Sequence, residues 1–189
     1  MQAVLFAAGL GNDSGTLPAK RADIINLSLG GPSGSDYEQD IYNQVRDAGV
    51  IVVAAAGNSG NSSLNYPAAY SGVISVSSVT QAKTLAYYSS YGSTISVAAP
   101  GGDTRSGSAG GVWSLMGDDL NFTPVQAGYY NYDSYQGTSM ASPHMAGVVA
   151  LMKSAYPALQ PNDLDSLLAC GLITEDLGLV GRDNSFGYG

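Results

Sequence analysis

Residues 137–147 read GTSMASPHMAG and contain two residue types used in acyl transfer, Ser139 and the only histidine of the chain, His144. A serine hydroxyl is a good nucleophile at neutral pH only when an imidazole, itself oriented by a carboxylate, lies within hydrogen-bonding distance. In a helix, five positions correspond to about 140° of rotation and about 7.5 Å of rise. His144 should therefore point away from Ser139 and pack with a local partner. If Ser139 is a nucleophile, its base lies outside this chain.

A serine at the start of a buried helix has two alternative roles. It can cap the helix, with its hydroxyl accepting a hydrogen bond from a free backbone N–H of the first turn. Alternatively, the N–H groups and the dipole of the helix can stabilise an oxyanion that forms beside the hydroxyl. The tripeptide GTS alone favours the cap, so the wider sequence has to distinguish the two.

Strands and helices alternate in the apolar pattern around this segment. The continuous apolar runs at residues 22–31 and 50–60 predict strands that are buried on both faces. Residues 37–48 have helical spacing of their apolar positions, and residues 72–79 and 93–101 are rich in β-forming residues. This order predicts βαβ units around a parallel sheet.

The remaining segments predict two helices and a long surface loop. Residues 139–156 are apolar nearly all round, which predicts a central buried helix, and a second helix is expected from about residue 162 to Cys170. Cys170 itself lies in an apolar run, so we expect a small buried side chain there. Residues 101–135 are rich in Gly, Ser, Tyr and Asp and predict a surface loop with a hairpin. Residues 2–11 resemble the end of a helix without an N-cap, which suggests that the chain begins inside a longer one.

Two acidic stretches of the loop contain oxygen-bearing side chains, GDDLN at residues 117–121 and NYDS at residues 131–134. Such stretches are usually solvated, and the spacing fits no common calcium-binding motif. A structural calcium ion is the alternative. No cofactor is expected to take part in the chemistry.

Length and charge restrict the classes of partner. A chain of 189 residues is the size of one ordinary domain, and its net charge of −8 repels phosphate backbones and anionic lipid surfaces. The sequence contains no 18-residue apolar span and no basic-then-apolar leader. We therefore expect neither a nucleic acid nor a membrane as partner.

Several segments, in order, resemble one enzyme family. GTSMASPHMAGVVAL resembles the nucleophile segment of the subtilisin-like serine proteases, IINLSLGGPSGS the strand and loop that line their substrate cleft, and VVAAAGNSG their oxyanion segment. YPAAYSGVISVSSV, YSSYGSTISVAAPG and the terminal FGYG resemble later landmarks. The similarity covers about residues 23–100 and 136–189. It implies a three-layer α/β subtilisin-like fold, with a mostly parallel sheet flanked by helices. The fold would be incomplete at its N-terminus. Residues 1–189 would be part of a catalytic domain, and residues 101–135 would form an insertion in it.

The resemblance also implies site residues. Ser139 would be the nucleophile, and the side-chain amide of Asn58 would stabilise the oxyanion together with the Ser139 backbone N–H. Taken alone, an Asn after Gly is equally a turn residue. Two tripeptides would bind an extended substrate. Ser28, Leu29 and Gly30 would pair with it through backbone groups. Ala55, Ala56 and Gly57 would form the wall of the pocket for the residue before the scissile bond. Without the family resemblance, the first tripeptide is a strand end followed by a turn, and the second is a strand packed closely against a helix.

The chain also departs from the family pattern. In the family the acid and the base precede the serine, in the order Asp, His, Ser, and no residue here is assigned to either. The resemblance therefore implies the serine-bearing part of a secreted endopeptidase that hydrolyses polypeptides through an acyl-enzyme, inactive without the missing N-terminal part. The alternative is a non-catalytic module that binds peptides or self-associates through exposed strand edges. A self-contained esterase lacks support because the G-x-S-x-G motif and a second histidine are absent.

Overall fold

A four-stranded sheet lies between two layers of helices in this protein. The structure is a computed structural model and describes residues 1–117 and 130–189. The sheet is parallel, with the strand order β1-β2-β3-β4. The predicted layered α/β arrangement and the hairpin are confirmed. The elements are α1 (Gln2–Ala7), β1 (Ile24–Leu27), α2 (Asp36–Asp47), β2 (Ile51–Ala55), β3 (Val73–Val79), β4 (Val97–Pro100), a short 3-10 helix (Ser108–Gly110), the antiparallel hairpin β5 (Val112–Gly117) and β6 (Tyr130–Tyr135), α3 (Thr138–Ala155) and α4 (Pro161–Ala169).

Strand β2 lies at the centre of the core, and all five of its residues are buried. Val52 and Ala54 pack in one apolar cluster with α1 and α2, whereas Ile51 and Val53 pack in a second cluster with α3 and α4. Successive side chains of a strand point to opposite faces, so a strand covered on both sides must be apolar throughout. This is the physical reason for the continuous apolar run in the sequence.

Helix α2 connects β1 to β2. Its N-terminus is capped by Ser35, whose hydroxyl accepts a hydrogen bond from the Glu38 N–H at 3.2 Å, and Gly49 with φ of 80° follows its end. The predicted βαβ unit is therefore present at β1–α2–β2. The connections from β2 to β3 and from β3 to β4 contain no helix, so the prediction of repeated units is wrong for them.

Helix α3 packs across all four strands through Ala141, Met145 and Val149, which are spaced four residues apart and therefore share one face. The opposite face is open, with Val148 44% and Leu151 73% exposed. The prediction of a helix buried all round is wrong because the described residues bury the side of α3 that faces the sheet and leave Val148 and Leu151 on the other side exposed. The apolar pattern of the second face has no partner among these residues.

Helix α4 buries Leu164 and Leu168 against the same face of the sheet. It ends at Ala169, and the C-cap residue that follows, Cys170, is exposed. The prediction of a buried cysteine is wrong because the two leucines occupy the inward side of α4 and Cys170 lies on the other side.

Candidate active site

Three segments that are distant in the sequence meet at the carboxyl edge of the sheet. Ser28 directly follows β1, Asn58 lies three residues after β2, and Ser139 is the second residue of α3. The carboxyl ends of parallel strands share one edge, where the loops converge on helix N-termini. The fold therefore brings Ser28, Asn58 and Ser139 into one site.

Ser139 does not cap its own helix. The N-cap of α3 is Gly137, with φ of 152°, and it makes no side-chain capping hydrogen bond. The Thr138 N–H is bound instead by the side-chain oxygen of Asn58 at 2.9 Å. The capping alternative for Ser139 is therefore wrong, and its hydroxyl is not used in satisfying the helix terminus.

Reciprocal hydrogen bonds fix Ser139 against the end of β1. The Ser28 hydroxyl donates to the Ser139 carbonyl at 2.8 Å, and the Ser139 hydroxyl donates to the Ser28 carbonyl at 3.3 Å. Behind them, the Asn26 side-chain amide donates to the Ser28 hydroxyl at 3.0 Å, and the Ser142 hydroxyl donates to Asn26 Oδ1 at 2.7 Å. The long bond made by the Ser139 hydroxyl is the weakest of the four, so this hydroxyl is the group most easily redirected.

Thr138 fixes the orientation of the Asn58 amide. Asn58 Oδ1 accepts from both the backbone N–H and the hydroxyl of Thr138, each at 2.9 Å, and the same hydroxyl accepts from the Gly57 N–H at 3.1 Å. With Oδ1 held on this side, Nδ2 must point the other way. Thr138 is fully buried. Sequence reasoning missed this residue, although a hydroxyl directly before Ser139 in GTS was an available signal.

Two hydrogen-bond donors at this site are unpaired. Among the residues that the structure describes, neither Asn58 Nδ2 nor the Ser139 N–H has an acceptor. The Ser139 N–H belongs to the first turn of α3, and the Asn58 side chain is hydrogen-bonded to Thr138 of the same turn. At this end of a helix the dipole favours negative charge. Such donors can stabilise the oxygen of a carbonyl that is attacked by the Ser139 hydroxyl.

The predicted substrate-binding tripeptides differ in how their backbones are used. Leu29 and Gly30 make no backbone hydrogen bond within the described residues, and Leu29 is exposed, whereas the next residue, Gly31, pairs with Tyr66 in both directions at 2.7–2.8 Å. These free groups can pair with an added strand.

The second tripeptide is bound within the protein. The Ala56 N–H donates to the Val76 carbonyl, and the Gly57 carbonyl accepts from the Ser90 N–H. The side chains of Ala55 and Ala56 are buried. Residues 55–57 can therefore form a wall, but their backbone is less available to an added strand than that of residues 29 and 30.

No base contacts Ser139 in the described part of the chain. His144 is exposed, and its Nδ1 lies 2.8 Å from the Met140 carbonyl, so the predicted local partner is present but the ring is not packed. Lys153, another basic residue of α3, cannot serve as the base because it lies in the last turn of the helix, where its Nζ is 3.8 Å from an oxygen of Asp23. Beside Ser139 there is instead an open cleft of about 350 Å³ between β5 and the first turns of α3, lined by Val112, Trp113, Ser114, Ser139, Met140, Pro143 and His144.

Tyr88 supports the segment that leads into α3. Its hydroxyl lies 2.9 Å from the Gly101 carbonyl and 2.7 Å from the Gly102 carbonyl, and Gly101 in turn accepts a hydrogen bond from the Gly137 N–H at 3.0 Å. Burial raises the pKa of Tyr88 above its usual value. The phenol therefore stays neutral and able to donate at any ordinary pH.

The described residues include no group of three or more His, Cys, Asp or Glu side chains that could hold a metal ion. In NYDS, Asp133 accepts a hydrogen bond from the adjacent Ser134 N–H. Residues 118–121 of the predicted calcium stretch GDDLN lie outside the described residues, so calcium at that stretch stays a prediction.

Comparison with known proteins gives consistent results. The sequence pattern of the subtilase family, peptidase S8, matches residues 2–189. The chain is 38% identical to the minor extracellular protease Epr of Bacillus subtilis (strain 168) over 90% of its own length and 23% of that protein. It is 40% identical to subtilisin DY of Bacillus licheniformis over 78% of its length and 48% of that protein. A protease structure from Pseudoalteromonas arctica superposes with a TM-score of 0.83 at 36% identity, over 98% of this chain and 53% of the other. The chain thus spans about half the length, or less, of these relatives.

Proposed function

Since the chain belongs to the subtilase family of serine peptidases, we propose that it is the part of an endopeptidase that supplies the nucleophile, Ser139, and the oxyanion donors. Peptide-bond hydrolysis would proceed through an acyl-enzyme: the Ser139 oxygen attacks the carbonyl carbon, its proton passes to a base, and the amine leaves with that proton. Water then releases the acid and restores the hydroxyl.

The observation that carries this proposal is the pair of unpaired donors beside the Ser139 hydroxyl. Asn58 is held by two hydrogen bonds from Thr138, so its free Nδ2 is pre-oriented rather than mobile. Donors that need no reorganisation contribute most to the stabilisation of developing charge. A purely structural turn at Asn58 would not require this arrangement.

We propose that the histidine and the aspartate come from a polypeptide segment outside these 189 residues. The open cleft beside Ser139 continues into the uncovered face of α3, where Val148 and Leu151 are exposed. In the described chain, β1 pairs only with β2, so its other edge is free for a further strand. A segment that covers this apolar face would also bring a base to the cleft, and without it we expect Ser139 to react more slowly by several orders of magnitude.

The substrates, partners and location follow from the same proposal. The substrate is a polypeptide, bound as an added strand along Leu29 and Gly30, and the chemistry uses no cofactor. No helix in the described ranges is long and apolar enough to cross a bilayer. One relative is named an extracellular protease, and we propose secretion for the protein that contains this chain as well.

Labelling with a fluorophosphonate tests the proposal. The 189-residue chain is mixed with a separately made polypeptide that carries the family's aspartate and histidine, and the labelling rate of Ser139 is measured by mass spectrometry. We expect rapid labelling only in the mixture, abolished by Ser139→Ala and retained in Ser154→Ala, an exposed serine of the same helix. Labelling that is absent from the mixture, or that survives Ser139→Ala, would contradict the proposal.

The free edge of β1 and the open face of α3 favour one second candidate, a non-catalytic module that binds peptides or its own copies. Exposed strand edges recruit further strands. Sedimentation over a range of concentrations distinguishes the candidates, because a chain that stays monomeric and binds no peptide is not such a module.

A further inference from the structure

A pocket of about 400 Å³ opens where the amino end of β1 meets the last turns of α3. Ile24, the first residue of β1, and Pro157 contribute apolar walls. Three charged side chains, Lys20, Asp23 and Lys153, also line this space, which we call the lysine pocket. It lies at the opposite end of α3 from the candidate nucleophile and is therefore separate from the candidate active site.

The charges of the lysine pocket are not balanced. The ammonium groups of Lys20 and Lys153 lie 3.7 Å and 3.8 Å from the two oxygens of Asp23, so one carboxylate faces two positive charges. Both distances exceed that of a hydrogen bond. The Lys20 side chain is 85% exposed and can be solvated by water, whereas that of Lys153 is only 9% exposed. Within the ranges that the structure describes, the Lys153 ammonium has no hydrogen-bond acceptor, although a charge removed from water requires one.

We propose that the lysine pocket binds a carboxylate side chain of the polypeptide segment that pairs with the free edge of β1. The inference rests on the proposed function, which assigns the histidine and the aspartate to such a segment. In the described chain β1 pairs only with β2, and Asp23 directly precedes β1. A strand added to the other edge would run about 4.8 Å from β1. An aspartate or glutamate of that strand at the level of Ile24 would reach the mouth of the pocket and accept hydrogen bonds from Lys153.

The charge of the whole chain favours a carboxylate on a docking segment over a free anion. The net charge of −8 repels a free anion at long range. A carboxylate that belongs to a docking segment is brought to the pocket by the other contacts of that segment, with the edge of β1 and with the exposed side of α3. The excess positive charge then adds a local attraction that selects an acidic residue at one position.

The experiment measures, by calorimetric titration, the affinity of the 189-residue chain for the separately made polypeptide that carries the aspartate and histidine. Every variant also contains Ser139→Ala, so the measurement does not depend on catalysis. Lys153→Met keeps the apolar stem of the side chain and removes the ammonium. We expect this change to weaken binding by about tenfold or more.

The stability of the isolated chain distinguishes this role from a structural one. Replacing an incompletely compensated buried charge by an apolar side chain is often neutral or stabilising, so Lys153→Met should leave the urea midpoint of unfolding unchanged or raise it. A structural ion pair with Asp23 would give the reverse result, a less stable chain with unchanged affinity for the polypeptide. Lys83→Met is the matched control, because Lys83 is exposed and pairs with Glu175; it should leave the affinity unchanged.

Two further measurements identify the source of the carboxylate. Each Asp and Glu of the added polypeptide is changed in turn to Asn or Gln, and one of these changes should be non-additive with Lys153→Met. Acetate is titrated into the chain alone while NMR follows the Lys153 side chain, and it should cause no saturable shift.

The inference is overturned if Lys153→Met binds as tightly as Lys83→Met, if no acidic residue of the polypeptide couples to Lys153, or if acetate saturates the lysine pocket, which would make a free carboxylate the ligand. Labelling of Ser139 is measured separately in chains that retain the serine. An effect of Lys153→Met on binding without labelling therefore contradicts only the proposed function. Labelling without an effect of Lys153→Met contradicts only this inference.

Discussion

Replacing Thr138 by valine is the most direct perturbation of the site that does not require activity. The substitution keeps the shape of a fully buried side chain and removes only its hydroxyl. Two hydrogen bonds are lost, one from the Gly57 N–H at 3.1 Å and one to Asn58 Oδ1 at 2.9 Å. An orphaned N–H costs about 1–3 kcal/mol and an ordinary lost hydrogen bond about 1 kcal/mol. The free energy of unfolding should therefore fall by about 2–4 kcal/mol.

Urea unfolding of the chain measures this loss, with an unchanged m value indicating that the denatured state is unaffected. Thr138→Ser keeps the hydroxyl and removes one methyl group, so it should cost only about 1 kcal/mol. Thr84→Val removes an exposed hydroxyl that bonds Thr80 at 2.8 Å and should change the stability by less than about 0.5 kcal/mol. If Thr138→Val were no more destabilising than Thr138→Ser, the assigned role of the hydroxyl would be wrong.

A double-mutant cycle tests whether Thr138 acts through Asn58. Combined with Asn58→Ala, Thr138→Val should show a coupling energy of about 0.5–3 kcal/mol, because the two side chains share a hydrogen bond. In the complemented protein, the same cycle on the Ser139 labelling rate should also be non-additive. Additive effects in both measurements would refute the view that Thr138 orients the oxyanion donor.

Two further predictions concern stability. Burial, with smaller effects of Glu38 and Tyr70, raises the pKa of Tyr42 from 10.0 to about 12. The folded state therefore favours the neutral phenol. Its contribution to the free energy of unfolding is fully present below pH 10 and is lost as the pH rises to 12. In urea unfolding, Tyr42→Phe should therefore lose less stability over this interval than the unmodified chain, and equal losses would contradict the assignment. Leu164→Ala, at a fully buried position, should cost about 2–5 kcal/mol, whereas Leu151→Ala should cost less than about 0.5 kcal/mol in the chain alone and more once a complement covers α3. Equal effects of the two leucine substitutions in the isolated chain would be the contrary result.

The success of the sequence-based predictions depended on how local their physical cause is. Strand β2 was predictable because its apolar run follows from burial on both faces, and α2 because the helical spacing of apolar positions in residues 37–48 follows from packing one face of a helix on the sheet. The exposure of Leu151 was not, since an apolar pattern states that a face must be covered but not that the covering element lies in the same chain. Cys170 was misjudged for a related reason: an apolar run does not specify which side of α4 faces the sheet.

The sequence by itself determined the family, the layered α/β fold, and the identity of the serine and asparagine that the family resemblance marks as functional. Only the tertiary structure decided what holds those groups in place. Thr138 contacts an asparagine 80 positions away in the chain, and Ser142 contacts Asn26, which lies 116 positions away. The physical reason is that a hydrogen bond acts over about 3 Å of space, so the partners of a side chain are set by how the strands and helices pack and not by residue type or spacing.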